Sequence, residues 1–439
     1  MDKAVEFENF YGNLVLQKVK EISTTYKNIT KKLNDTFYSL DSDTRNSLQV
    51  GSYGRFTAIN SLSDLDMLFI MPVSYYSRFD NHEGNGQRAF LQEVSKVLQE
   101  KYPKSKIYVD GQVVVFEHSS YLIEIIPCFE EKDGSFKYPD TSDGGSWKIT
   151  KPRLEAEEIG DFHNPTGKVL RKLCKMTRAW RNKCNVQIGG LLIDTLCYNF
   201  LKLNPIHHNI KFDEYDVLFL KFFEYLKELS REQQYWHAPG SNQKVYKKDS
   251  FTGKAKKAFN NVEKAIGKDG KESARRNWKY VFGSLFPNKR QAEESTSSNL
   301  MKSDRNELVS FNDTEEFIDD MFSFRKQLKE VKIDCKVTQD GFRTDFLSRI
   351  KFLRNKYDLE FFINEVPVSG AYDLYWKVTN YGDTAERRDC VRGQIIKDKG
   401  YRQKKETSDF NGEHLVECYI VQNHLVVAQG EIDVNINMH

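Results

Sequence analysis

The segment Asp64–Met71, DLDMLFIM, constrains the fold more than any other part of the chain, because two carboxylates open an otherwise apolar run. The run is short, rich in bulky side chains and ended by Pro72, a pattern that predicts a β-strand. Side chains two residues apart on a strand point to the same face. We therefore expect Asp64 and Asp66 to share one face of a sheet; the alternative is a solvated polar pair at a strand end.

Neighbouring carboxylates repel each other, which disfavours their joint ionisation. A divalent cation removes that repulsion, and Mg²⁺ prefers oxygen ligands while keeping positions for water and substrate phosphates. The aspartate pair therefore indicates a metal site that works on a phosphorylated substrate.

A Gly-Ser turn precedes the aspartate pair. Gly51 and Ser52 follow the strand-like stretch Ser47–Val50 and are expected to open a short helix. Glycine lets the backbone approach a ligand closely, and a serine hydroxyl with nearby amide N–H groups can hold phosphate oxygens. The alternative for this pair is an ordinary turn.

A third carboxylate, Glu124, lies inside the apolar segment Leu122–Pro127. A charge in so apolar a strand costs several kcal/mol unless it is paired or bound to a metal. If this strand lies in the same sheet as Asp64 and Asp66, the three carboxylates have the layout of a two-metal site. A buried salt bridge or an edge-strand position is the alternative for Glu124.

Hydrophobic periodicity divides the 439 residues into α-helical and β-rich regions, which predicts an α+β protein. A long helix is expected over 7–41, a helix over 87–101, and strands over 107–116 and 121–126. The first expected domain, over 1–164, is an α/β unit with a mixed sheet and the N-terminal helix. It is followed by a helical region over 165–287 and a polar Ser-rich linker over 288–312. A separate β-rich C-terminal domain, which begins with a helix over 315–329, is expected over 313–439.

Bulk composition excludes several classes of protein. The formal net charge of +3 is too small for a global nucleic-acid footprint. The seven cysteines are odd in number and scattered without a CxxC pair, which argues against a disulfide framework or a zinc ribbon. The N-terminus does not read as a signal peptide, and no run of about 18 apolar residues occurs. These features predict a cytoplasmic protein that does not span a membrane.

The stretch GSYGRFTAINSLSDLDMLFIM resembles the signature of the polymerase-β-like nucleotidyltransferases. Within that superfamily it is similar to the group of oligoadenylate synthetase, cyclic GMP-AMP synthase and the bacterial CD-NTases, also called the SMODS group. IEIIPCF, LRKLCKMTRAW and WKYVFGSLFP extend the resemblance over roughly residues 40–287. The resemblance implies a polymerase-β-like palm followed by a helical lobe.

The resemblance also implies a metal site. Asp64 and Asp66 would bind two Mg²⁺ or Mn²⁺ ions. Glu124 would bind the ion nearer to the attacking hydroxyl and help to deprotonate that hydroxyl. The third carboxylate of the family is commonly aspartate, so the extra methylene of Glu124 requires its strand to sit slightly back.

The nucleotide-binding residues are likewise implied by the resemblance. Ser52, next to Gly51, would hold the donor triphosphate. Lys175 and Arg178, three apart on one helix, match positions that contact the triphosphate in relatives, and a solvated helix face is their alternative. Arg55 would assist, with a structural salt bridge as its alternative.

For function, the resemblance implies a synthase that uses nucleoside triphosphates, ATP first and GTP second, to make a cyclic oligonucleotide messenger. That messenger would bind a downstream effector in antiphage signalling of the CBASS type, and synthesis would need neither a membrane nor nucleic acid. Two alternatives stay open: a linear product or nucleotide transfer to RNA or protein, and an inactive nucleotide-binding sensor.

The blocks YDLYWKVTNYGDTA, VRGQII and GEHLVECYIVQNHLVVA resemble the adenylyl/guanylyl and SMODS C-terminal sensor domain over roughly residues 313–439. The resemblance implies a sensing or regulatory role. Tyr372, Tyr375 and Trp376 would either line a ligand site there or form the core and surface sides of one strand.

Overall fold

The computed structural model describes residues 3–16, 19–60, 65–118, 121–268, 272–287, 315–339, 344–350, 353, 356–381, 385, 391–408 and 412–436. The chain divides into two compact units, Met1–Asn288 and Lys289–His439. Asp64 and the expected linker over 288–312 lie outside the described residues. Predictions about them stay predictions.

The first unit contains a mixed seven-stranded sheet, as predicted. Its strands are β1 (Ser47–Gln49), β2 (Leu65–Ile70), β3 (Lys106–Asp110), β4 (Val113–Glu117), β5 (Leu122–Glu130), β6 (Phe136–Asp140) and β7 (Ser146–Thr150). The order is β1-β2-β5-β4-β3, and β6 pairs with both β5 and β7. Only the β2–β5 pair of this sheet, among the strands described, is parallel.

The single strand expected over 107–116 is wrong, because the chain there forms a hairpin. Strands β3 and β4 pair in antiparallel fashion, with Asp110 opposite Val113. Gly111, at φ +57°, supplies the left-handed backbone that a two-residue hairpin loop requires. The apolar pattern runs through the turn, so periodicity alone does not show the reversal.

The helices of the first unit divide between the core beneath this sheet and a second apolar core, which contains side chains of the predicted helical lobe over 165–287. They are α1 (Lys3–Asn13), α2 (Val19–Tyr38), α3 (Gly51–Gly54), α4 (Tyr76–Asp80), α5 (Gly86–Lys101), α6 (Pro152–His163), α7 (Val169–Lys183), α8 (Gly190–Leu203), α9 (Tyr215–Glu228), α10 (Thr252–Ile266) and α11 (Glu272–Phe282). A small hairpin, β8 (Tyr235–His237) and β9 (Lys244–Tyr246), lies within the lobe. In the described ranges, no helix is both long and apolar enough to cross a membrane.

The single N-terminal helix expected over 7–41 is wrong, because α1 and α2 belong to different cores. Phe7 of α1 packs against Phe219 and Trp278 of the helical lobe. Ile29 and Leu33 of α2 are instead buried with the core beneath the sheet. The N-terminal segment therefore supplies one helix to each side of the first unit.

The second unit is built from two sheets, which confirms the β-rich C-terminal domain. Its strands are β10 (Ser323–Glu330), β11 (Ile333–Thr338), β12 (Asp345–Phe346), β13 (Asp358–Ile363), β14 (Asp373–Tyr381), β15 (Arg392–Lys397), β16 (Gln403–Thr407), β17 (Gly412–Gln422) and β18 (Leu425–Ile436). One sheet has the order β10-β18-β17-β14-β15, and the other has the order β12-β11-β13-β16. An apolar core contains buried side chains of both sheets.

The helix expected over 315–329 is wrong. Only Ile318–Met321 is helical, and the following residues form β10, which pairs with β18 in parallel. Phe324 and Leu328 are four residues apart, a spacing that fits one face of a helix and one face of a strand equally well. Pairing with a strand a hundred residues away decides between the two.

The aromatic cluster of β14 divides between the two faces of its strand. Trp376 is buried in the core of the second unit. Its neighbour Tyr375 packs on the opposite side, against a separate apolar cluster. These two rings therefore follow the alternative interpretation, in which they form two sides of one strand.

Candidate active site

Two of the three predicted carboxylates meet on the sheet of the first unit. Strands β2 and β5 are parallel neighbours, and their register sets Asp66 directly opposite Glu124. Residues paired in this way share a face, and neighbouring strands lie roughly 5 Å apart. Both side chains are half-buried, whereas Met67 and Ile125 point to the core on the other face. The structure thus brings Asp66 and Glu124 together at one open face.

The Gly-Ser turn lies against this carboxylate pair. The backbone N–H of Val50 donates to the carbonyl oxygen of Asp66 at 2.9 Å. Gly51 then adopts φ +61°, and a Cβ built on it would lie 1.8 Å from Oδ2 of Asp66. Any side chain at position 51 would therefore collide with the aspartate. Ser52 follows, half-buried, in the four-residue helix α3 that the sequence led us to expect.

Arg55 and Arg178 occupy a different place from the predicted one. Oδ2 of Asp194 accepts from Nε of Arg55 at 2.8 Å, and both carboxylate oxygens accept from the guanidinium of Arg178 at 2.5 and 2.9 Å. All three side chains are no more than 5% exposed. Arg55 forms the structural salt bridge named as its alternative, and Arg178 does not lie on the solvated helix face named as its own. The nucleotide-binding role expected of the two arginines stays a prediction.

This buried network, Arg55, Arg178, Asp194, Thr57 and Glu155, joins the Gly-Ser turn to the helical lobe. The hydroxyl of Thr57 donates to Oδ2 of Asp194 at 3.0 Å, and Arg55 also reaches Glu155 of α6 at 3.5 Å. Two charges of α8 and α6 thereby hold the chain segment that follows α3. We expect this network to hold the turn in place beside Asp66 and Glu124.

We expect Asp194 to make folding stability depend on pH in the acid range. Burial would raise the pKa of its carboxyl, but the guanidinium groups of Arg178 and Arg55 outweigh burial and lower it from 3.8 to about 2. A group with a lowered folded pKa stabilises the fold above its unfolded pKa, and this contribution is lost as the pH falls from about 4 towards 2. Urea unfolding from pH 5 to pH 3 should therefore show a steeper loss of stability in the wild type than in Asp194→Asn; equal slopes would contradict this assignment.

Lys175 lies in a cationic cluster on α7 that also contains Arg171 and Lys172. Burial lowers the pKa of Lys175, and the neighbouring charges of Arg178 and Arg171 lower it further. Its Nζ lies 5.7 Å from the ring centroid of Tyr11. Among the residues that the structure describes, no carboxylate forms an ion pair with Lys175. The cluster is therefore a region of concentrated positive charge suited to an anionic ligand.

Arg171 was not predicted from the sequence, and it connects this cluster to the segment that follows α3. Its Nε donates to the backbone oxygen of Arg55 at 3.1 Å, and its guanidinium carbon lies 4.9 Å from the ring centroid of Phe56. Burial and then the charge of Arg171 lower the pKa of His163 to about 4. The spacing of Arg171 and Lys175, four residues apart on one helix, was the available signal.

Family models match both ends of the chain. Residues 1–162 match the Second Messenger Oligonucleotide or Dinucleotide Synthetase domain, and residues 312–437 match the Adenylyl/Guanylyl and SMODS C-terminal sensor domain. A probable cyclic nucleotide synthase of Bacillus cereus (strain VD146) is 23% identical over 273 residues, which cover 54% of this chain and 81% of that protein.

Solved structures share the fold of about two thirds of the chain. CdnC of Escherichia coli MS115-1 with ATP has a TM-score of 0.50 at 17% identity, over 65% of this chain and 99% of that one. The complex of CdnC with HORMA-deltaN matches with a TM-score of 0.51 at 17% identity, over 65% of this chain and 98% of that one. The predicted α+β class, with a nucleotidyltransferase palm and a separate β-rich region, is confirmed.

Proposed function

We propose that this chain, a nucleotidyltransferase that belongs to the bacterial CD-NTase group of cyclic nucleotide synthases, joins ribonucleoside triphosphates into a cyclic oligonucleotide by metal-dependent transfer. One observation carries the proposal. The register of β2 and β5 sets Asp66 opposite Glu124 on an open face, and the Gly51 turn lies directly against Asp66. Such a carboxylate pair beside a glycine turn is a suitable place for metal ions and the phosphates of a donor nucleotide.

The donor set suits a hard divalent cation, because Mg²⁺ and Mn²⁺ prefer carboxylate oxygens. Among the described residues no group of three His, Cys, Asp or Glu side chains forms a metal site, and Asp64 is not among them. Asp64, Asp66 and Glu124 would together hold two ions, which would neutralise charge on the reacting phosphates. The proposal therefore requires Asp64 to join the two carboxylates that the sheet already pairs.

Different residues of the chain would bind the donor nucleotide and accept the proton during transfer. Ser52 and the backbone of its turn would hold the donor triphosphate, with Lys175 and Arg171 supplying positive charge from α7. A sugar hydroxyl of a second nucleotide would attack the α-phosphorus, the bond to the pyrophosphate would break, and Glu124 would take up the hydroxyl proton. A second attack within the linear intermediate would close the ring.

Product analysis tests the proposal. The purified chain is incubated with all four ribonucleoside triphosphates and Mg²⁺ or Mn²⁺, treated with phosphatase, and its products are identified by mass spectrometry. A cyclic product survives phosphatase because it has no terminal phosphate. A phosphatase-sensitive oligonucleotide would indicate a linear product, labelled RNA or protein would indicate transfer to a macromolecule, and no turnover of any nucleotide would indicate an inactive sensor.

The cellular role is part of the same proposal. ATP is the first substrate to test and GTP the second, and the cyclic product would act by binding a downstream effector in antiphage signalling. The C-terminal sensor domain would regulate synthesis. Loss of phage protection in cells that carry the chain with its genomic neighbours, on mutation of Asp66, is the corresponding test.

Gly51→Ala is expected to reduce nucleotide transfer about 100-fold, because a displacement of about 1 Å at a reacting group has that effect. The new Cβ would lie 1.8 Å from Oδ2 of Asp66, so the aspartate must move. The φ of +61° adds strain of about 1–2 kcal/mol for any residue other than glycine. Initial rates of pyrophosphate release and urea unfolding measure the two effects.

Gly12→Ala is the matched control for this substitution. Gly12 lies in α1 and a Cβ there would meet nothing within 4 Å. Alanine is the better helix former by about 1 kcal/mol, so this variant should be as stable as the wild type or more stable, with unchanged transfer. Equal activity of the two variants would show that position 51 does not control the site.

A further inference from the structure

The outer face of the sheet β12-β11-β13-β16 carries side chains that a purely structural face does not need. Along β11 and β13, alternate residues such as Cys335 and Phe361 are buried in the core of the second unit. The residues between them, among them Lys336 and Phe362, are half-buried on the opposite face. Phe362 therefore lies near the middle of a sheet face that water reaches.

A cavity of about 550 Å³ lies over this face. Its lining includes three aromatic side chains and three cations: Phe346, Phe362, Tyr401, Lys336, Arg349 and Arg402. Its volume falls within the roughly 300–1,000 Å³ of ordinary ligand sites.

Rings and cations alternate within the cavity. The rings of Phe346 and Phe362 meet edge to face, with centroids 6.1 Å apart. The guanidinium carbon of Arg349 lies 5.4 Å from the centroid of Phe346, and Nζ of Lys336 lies 5.7 Å from that of Phe362. Lys336 also pairs with Glu360 at 3.3 Å, which leaves the two arginines as the main source of positive charge.

The loop that presents Tyr401 and Arg402 is held in place before any ligand arrives. Oδ2 of Asp398 accepts from the backbone N–H of Gly400 at 2.7 Å and of Arg402 at 3.0 Å. Oδ1 of Asp398 accepts from the indole N–H of the buried Trp376 at 3.2 Å. Tyr401 is nevertheless 75% exposed. A ligand that stacks on Tyr401 therefore need not order this loop, which lowers the entropic cost of binding.

The side chains that line the cavity indicate the class of ligand that it can bind. An apolar ligand would bury the arginines without counter-charge, and a simple anion would make no use of three rings. The only carboxylate within the described lining, Asp334, already accepts from the hydroxyl of Ser348 at 2.8 Å, which is a poor arrangement for a cation site. Aromatic rings on a sheet face beside cations are the elements that bind unpaired bases joined by phosphodiesters.

We propose that this face of the C-terminal unit binds a short single-stranded stretch of nucleotide chain. Its bases stack on Phe346, Phe362 and Tyr401, and its phosphodiesters lie against Arg349 and Arg402. Two sources share this chemistry: single-stranded nucleic acid, and an oligonucleotide made by the first unit. The proposal goes beyond the proposed synthase activity, because binding here requires no turnover.

Fluorescence anisotropy with a short labelled single-stranded RNA tests the site on the full chain, without nucleoside triphosphates or metal. Tyr401→Ala is expected to weaken binding about 10-fold, since stacking contributes roughly 1–3 kcal/mol per base. Arg402→Gln should weaken binding and reduce the slope of log K against log salt by about 0.7. The matched control is Lys397→Gln, an exposed cation of β15 in the other sheet, paired with Asp373, which should bind like the wild type.

Competition distinguishes the sources. Unlabelled single strands that displace the probe best indicate nucleic acid, and a cyclic dinucleotide that displaces it best indicates a product of synthesis; either result supports the site. Polyphosphate or duplex RNA that competes as well as the single strand would show charge attraction alone and overturn it. Wild-type binding by Tyr401→Ala and Arg402→Gln would overturn it too. A chain without synthase activity would leave these measurements unaffected, so the two proposals fail separately.

Discussion

Replacing Asp64 and Asp66 together by asparagine is expected to reduce nucleotide transfer about 1,000-fold or more, while the chain stays folded. The substitution keeps the shape of the side chain that lies against Gly51. It removes the charges that would hold both cations, and stabilisation of transition-state charge by metal ions is worth several kcal/mol. Incorporation of labelled nucleotide, followed over time with Mg²⁺ and with Mn²⁺, measures the loss.

A second readout separates metal binding from general damage. The unfolding midpoint of the wild type should rise on addition of Mn²⁺, because a ligand that binds only the folded state stabilises it. The double variant should show no such rise, and Asp110→Asn with Glu117→Gln, two carboxylates of strands β3 and β4, should behave as the wild type. Retained transfer, or a retained response to Mn²⁺, in the Asp64 and Asp66 variant would remove the basis of the proposed site.

Asp194→Ala is expected to destabilise the first unit by about 3–5 kcal/mol, the usual result of removing one partner from a buried ion pair. The substitution would leave the guanidinium groups of Arg55 and Arg178 in the interior with Glu155 as the nearby counter-charge. It would also release the segment after α3, so the remaining transfer activity should fall. Urea unfolding at pH 7, monitored by tryptophan fluorescence, gives the free energy.

The control for this prediction breaks an ion pair at the surface. Glu224→Ala removes the partner of Lys221 on α9, where both side chains are more than 40% exposed, and should cost less than about 1 kcal/mol. Asp194→Asn retains the shape of the side chain and should lie between the two. If Asp194→Ala is as stable as Glu224→Ala, the buried network does not hold the turn.

The carboxylate site could be predicted from the sequence because the supporting patterns each lie within a short segment of the chain. Alternation along a strand predicts that the side chains of Asp64 and Asp66 share a face, and an acidic residue within the apolar run of β5 requires compensation. That β2 and β5 are neighbouring strands could not be predicted from the sequence. More than fifty residues, including α5 and the β3–β4 hairpin, separate Asp66 from Glu124, and only strand pairing places them opposite each other.

The ion pairing of the arginines could not be predicted from the residues near them in the sequence. Arg178 lies on α7 in a series with Arg171 and Lys175, so spacing alone gives all three the same interpretation. Packing of α8 against α7 brings the carboxylate of Asp194 into contact with Arg178 and Arg55. Lys175 is instead half-buried among other cations. Which cation is neutralised and which is left for a ligand depends on a carboxylate from another helix.

The sequence by itself determined the strand over 65–70, the apolar run around Glu124 and the glycine that lies against Asp66, since each follows from the conformation of a few consecutive residues. That Asp64 shares a face with Asp66 stays a prediction. Only the tertiary structure decided that Glu124 faces Asp66, that Arg55 and Arg178 are buried on Asp194, and that residues 323–330 form a strand. These outcomes depend on contacts between segments far apart in the chain. Such contacts are selected by the free energy of packing and charge pairing in the whole unit, which no short stretch of sequence contains.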